Sequence, residues 1–68
     1  MNRNEAFEHF KAKYERLMIT QHEAMAELDI GLNSIIRLRK SGALKSKMVG
    51  GKAMVNIGDL AEYMCTTH

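Results

Sequence analysis

Residues 20–64 read TQHEAMAELDIGLNSIIRLRKSGALKSKMVGGKAMVNIGDLAEYM, and the punctuation inside this run sets the expected fold. Thr20 followed by Glu23 is a capping box, in which the threonine hydroxyl accepts from the backbone N–H three residues on and the glutamate reaches back to Thr20. A short helix is expected over Thr20–Leu28, with Ala24 and Leu28 inward and His22 solvated. Asp29, Ile30 and Gly31 then make a turn. The next helix is expected over Leu32–Ser41, with Gly31 as its N-cap and Gly42 at the left-handed position after its last turn. Ile35 and Leu38 mark its inward side, and Asn33, Ile36, Arg37 and Lys40 lie opposite.

After Gly42 the period changes. Lys45, Lys47 and Val49 alternate with Ser46 and Met48, Gly50–Gly51 supply a tight turn, and Met54–Ile57 is β-rich, which together predict a hairpin. Met48 and Met54 are expected on its facing strands, as an apolar contact patch. Asp59–Cys65 closes the run as a helix, with Leu60, Tyr63 and Met64 inward and Asp59 near the positive end of its dipole. Upstream, Phe7, Phe10, Tyr14 and Leu17 recur at spacings of three, four and three, the stripe of an amphipathic helix over Asn2–Met18. That helix either covers the core or pairs with a second copy through the same four residues.

The charge is unevenly placed. The chain of 68 residues carries a formal +2, yet Leu32–Asn56 holds Arg37, Arg39, Lys40, Lys45, Lys47 and Lys52 with no acid, whereas Met18–Gly31 holds only Glu23, Glu27 and Asp29. Six cations in one acid-free block are the electrostatic footprint of a chain that meets a polyanion.

Composition and spacing narrow the remaining classes. At 46% hydrophobic and 26% charged the chain is expected to fold, but 68 residues leave no room for a separate catalytic domain. Gly50, Gly51 and Lys52 fail as a phosphate loop, because Ser46 stands where a glycine is needed and Ala53 where Ser or Thr is needed. Cys65 and His68 have no second pair to complete a metal site. Nothing in the spacing of His9, His22 and Cys65 orients a nucleophile and base. Neither an enzyme, a cofactor nor a metal is expected. The single cysteine, the lack of a signal peptide and an apolar run no longer than Leu17–Ile19 point to the cytoplasm and away from a membrane.

Helix, three-residue turn, helix with basic outward residues, then hairpin is the order of a winged helix-turn-helix. The expected architecture is mainly α with a small β-hairpin wing: an extra N-terminal amphipathic helix (residues 1–18), the winged unit (19–65) and a flexible tail (66–68). In that geometry Asn33 suits adenine, Arg37 guanine and Ile36 a thymine methyl in the major groove, and Arg39, Lys40, Lys45, Lys47 and Lys52 suit phosphates.

The same residues carry a resemblance. Thr20, Glu23 and Ala24, Ile30 in the turn, Arg37, Leu38, Lys40, Ser41, Gly42 and Leu44 at the end of the outward helix, Gly50–Gly51, and Asp59–Leu60 together resemble the excisionase-type, MerR-like winged helix-turn-helix. The match covers Met18–Met64 in order and without a gap. It departs in a second wing strand with Lys52 as its only cation, and in Asp29 and Gly31 before the recognition helix. The resemblance implies sequence-specific binding of double-stranded DNA, as a small transcriptional regulator or an excisionase of a phage, plasmid or other mobile element. Implied partners are DNA, a second copy, and a recombinase or RNA polymerase. The competing expectation is a protein-interaction module, an anti-repressor or packaging adaptor that uses Leu32, Ile36, Met48 and Met54.

Overall fold

Capping chemistry divides the N-terminal half. Asn2 Oδ1 accepts from the Glu5 N–H at 2.8 Å while Glu5 Oε1 accepts from the Asn2 N–H at 3.0 Å, and the helix so begun, α1 (Arg3–Tyr14), ends where Glu15 turns left-handed at φ 56°. It is shorter than the Asn2–Met18 expectation. Met18–Thr20 is instead a strand, β1, followed by α2 (Gln21–Leu28), α3 (Leu32–Ser41), β2 (Ser46–Val49), β3 (Lys52–Asn56) and α4 (Ile57–Cys65). The computed structural model describes residues 2–66. It is mainly helical, with one small antiparallel sheet of order β1-β3-β2.

The capping box at Thr20 is present as expected, with Glu23 N–H to Thr20 Oγ1 at 3.1 Å and Thr20 N–H to Glu23 Oε1 at 2.8 Å. Asp29 ends α2 left-handed at φ 54°, Gly31 caps α3, and Gly42 stops it at φ 82°. Gly50 and Gly51 both have positive φ, 56° and 80°, the geometry of a two-residue type I′ turn whose twist matches the flanking strands. Asn56 is the last strand residue and the N-cap of α4, its Oδ1 accepting from the Gly58 N–H at 2.7 Å. The helix therefore opens at Ile57, two residues before the expected Asp59, and Ile57 leaves the strand.

One core joins these elements. Ala6, Phe10, Ile19, Ala24, Ile35, Leu44, Val55, Ile57, Leu60 and Ala61 are all buried, and α1 packs chiefly on α4. Of the two expected roles for the N-terminal helix, α1 takes that of covering the core, since Phe10 is buried in it, and β1 spans the expected boundary between residues 18 and 19. The aromatic stripe is correspondingly broken as a dimer surface. Phe10 is 1% exposed, Phe7 and Tyr14 pack against the core, and Leu17, 55% exposed, has left the helix. Met64, expected inward, is exposed. Thr66, placed in a flexible tail, closes α4 through its N–H and hydroxyl to the Glu62 carbonyl; residues 67–68, and with them His68, lie outside the described residues.

If α1 belongs to the core, Phe10→Ala lowers the unfolding free energy by about 3–5 kcal/mol, the range for emptying a buried phenylalanine site. Urea denaturation followed by circular dichroism measures this; an appended helix would leave the midpoint unchanged.

Candidate nucleic-acid interface

The outward face of α3 is built by period alone. Asn33, Arg37 and Lys40, at i, i+4 and i+7, form one exposed stripe, while Ile35 on the opposite side is buried. Ile36 differs from expectation: it is half-buried and packs against the core rather than standing exposed, because the start of β2 lies beside it. A shallow groove lined by Ile36, Arg39, Lys40 and Ser46 separates α3 from the hairpin.

Arg39 bridges three elements. Its Nε donates to Ser46 Oγ at 2.9 Å and its Nη1 to Gln21 Oε1 at 2.5 Å, so the guanidinium ties α3 to β2 and to the start of α2. Expected as a phosphate contact, it acts here as a strut that holds the hairpin against the helix. Lys45 also departs from the stripe. It lines a groove with Asp59, Glu62 and Tyr63 of α4.

Register decides where the hairpin lysines face. Ser46 is opposite Val55 and Met48 opposite Ala53, whereas Lys47 is opposite Met54 and Val49 opposite Lys52. Directly opposed residues share a face, and Val55 and Ile19 face the core. Ser46, Met48 and Ala53 therefore lie on the α3 side, and Lys47, Met54, Val49 and Lys52 on the reverse. Met48 and Met54, expected together, are on opposite faces and form no common patch.

The acids of α2 are answered from the N-terminal segment. Lys13 Nζ reaches Glu27 Oε2 at 2.5 Å, Arg16 Nη2 reaches Glu23 Oε2 at 2.5 Å, and the Tyr14 hydroxyl donates to the same Glu27 oxygen. The backbone hydrogen bond from Thr20 leads in holding the Glu23 carboxyl below its ordinary 4.5, with Arg16 assisting. Burial pushes Glu27 up, but the hydrogen bonds from Lys13 and Tyr14, joined by the charge attraction of Lys13, outweigh it and the carboxyl ends lower. Burial first, then the hydrogen bond to Glu27, raises the Tyr14 phenol to about 12. Lys13 and Arg16 also stand over the Tyr14 ring, at 5.5 and 5.8 Å from its centroid. Sequence reading missed this cluster; its partners are 7 to 14 residues apart and no local period links them.

Among the described residues no group of three His, Cys, Asp or Glu side chains is placed to hold a metal ion, and no helix is long and apolar enough to cross a membrane. No protein-family model, curated protein or solved structure matches this chain.

The Glu23 and Glu27 carboxyls titrate lower in the folded chain than in the unfolded one. Their stabilisation is therefore complete above the ordinary value of 4.5 and is lost as pH falls through the folded values. Tyr14 is the reverse, its contribution present below pH 10 and lost as pH rises through about 12. Melting curves across pH should show a midpoint that falls in acid, and Tyr14→Phe, which removes a donor from a carboxylate, should cost about 1.5 kcal/mol at neutral pH. Arg39→Ala should speed amide exchange in β2 while leaving that of α1 unchanged, read by hydrogen exchange.

Proposed function

We propose that this chain binds double-stranded DNA sequence-specifically as a winged helix-turn-helix, in which α2 and α3 are the helical pair and β2–β3 is the wing. The carrying observation is a separation of charge in space. The acids of α2 are paired with Lys13 and Arg16, while Asn33, Arg37 and Lys40 form an exposed, acid-free stripe on α3, and the hairpin carries exposed Lys47 and Lys52 on its face away from α3. A stripe of this kind fits a major groove of about 12 Å.

Within that reading Arg37 and Asn33 meet base edges, Arg37 bidentately to guanine and Asn33 to adenine. Lys40 and the hairpin's Lys47 and Lys52 meet phosphates. Lys45 contributes less, because it shares its groove with Asp59 and Glu62, and Ile36 contributes only the exposed part of its side chain. Arg39 orients the hairpin. A cytoplasmic regulator or an excisionase of a mobile element would use the same interface, and the neighbouring genes distinguish them, an adjacent integrase selecting excisionase. The protein-interaction alternative is weakened by the division of its surface: Ile36 packs on the core and Met54 faces away from Met48.

The test is binding to duplexes selected from a random library, measured against salt. With three to five phosphates neutralised, log K should fall against log salt with a slope of about −3 to −4.5. Arg37→Ala should cost about 1–3 kcal/mol and relax specificity at one base pair, whereas Lys47→Ala with Lys52→Ala should weaken all duplexes alike and flatten the slope by about 2. Absence of salt dependence, or variants indistinguishable from the parent, would falsify the proposal.

A further inference from the structure

The hairpin tip is chemically unlike the strands that lead to it. Met48 is 61% exposed and Val49 48% exposed, and they point to opposite faces of β2. Immediately beyond them Gly50 and Gly51 stand in open space, so the turn adds no side-chain bulk. Lys47 precedes the apolar pair in sequence and Lys52 lies directly across from Val49. The result is a thin apolar point with two cations behind it on the hairpin's reverse face, on a chain with no acid from Leu32 to Asn56.

We infer that this tip enters the DNA minor groove and inserts Met48 or Val49 as a wedge that opens a base step and kinks the duplex; the inference rests on the DNA-binding reading above. Reach and width support it. Val49 lies three residues past Ser46, where Arg39 anchors β2 to α3, and at about 3.4 Å per residue the tip stands roughly 10 Å beyond that anchor. This exceeds the groove depth of about 7.5 Å. Two paired strands with their side chains are wider than a minor groove of about 6 Å, so entry has to widen it. An apolar side chain pressed between bases widens it by partial unstacking, and the duplex bends toward the major groove by roughly 20–90°. Lys47 and Lys52, on the hairpin's reverse face, are then beside one phosphate wall of the opened groove. The flexible thioether of Met48 suits an irregular slot of this kind.

The experiment uses the full chain and the tightest duplex from the library selection, dye-labelled at both ends for energy transfer and substituted in turn with 2-aminopurine at each adenine. The parent should shorten the end-to-end distance and brighten one 2-aminopurine. The Met48→Ser, Val49→Ser double variant should lose both signals and bind about tenfold more weakly, with an unchanged salt slope and an unchanged melting midpoint; Met48→Leu should keep both signals. A parent that binds with the expected salt slope but neither bends DNA nor brightens a base overturns the wedge and leaves the DNA-binding proposal standing. So does a serine variant that bends as the parent does. If no duplex is bound in a salt-dependent way, both proposals fall together.

Discussion

Strand β3 is the constraint on which the other elements depend. It is hydrogen-bonded on both sides, to β1 through Ile19 opposite Val55 and to β2 through Ser46 opposite the same residue. A single buried valine thus aligns the N-terminal segment with the hairpin. The pairing with β1 ends at Thr20, which is also the N-cap of α2, and β3 itself ends at Asn56, the N-cap of α4. Two helices therefore start where two strands stop, and their directions follow from the register of the sheet. A slip of one residue would turn Val55 outward and move both lysines to the other face of the hairpin.

Packing on this sheet also determines the surface charge. α1 lies against α4 and ends close to α2, which places Lys13, Tyr14 and Arg16 over Glu27 and Glu23. Exposed ion pairs of this type contribute little each, but here they have an electrostatic consequence. The acidic helix is compensated from outside the basic block, so the cations of α3 and the hairpin are left to face outward. Arg39 is the exception within that block, because Gln21 and Ser46 hold its guanidinium along the groove between α3 and β2.

Much of the fold was legible in the residues. The capping box at Thr20, the glycines that bound α3 and the Gly50–Gly51 turn are local signals, each acting within a few residues, and all appear where they were read. β1 was not legible, because three residues are too few to show a period of two and because its partner in β3 is more than thirty residues away. The early start of α4 was hidden for a related reason: Ile57 is β-branched and prolongs the β-rich stretch from Met54, and only the Asn56 side chain, turned to accept from Gly58, marks the change from strand to helix.

The candidate site divides in the same way. Sequence by itself determined the composition of the exposed basic stripe, because helical period alone sets Asn33, Arg37 and Lys40 on one side of α3 and the acid-free block needs no folding to be seen. Tertiary structure decided which of those residues remain available. Ile36 turned toward the core, Arg39 became a strut, Lys45 came to share a groove with Asp59 and Glu62, and Met48 and Met54 parted to opposite faces of the sheet. Periodicity specifies the direction of a side chain relative to its own element, whereas availability depends on what neighbouring elements bring within contact distance, and those neighbours are set by the long-range pairing of β3.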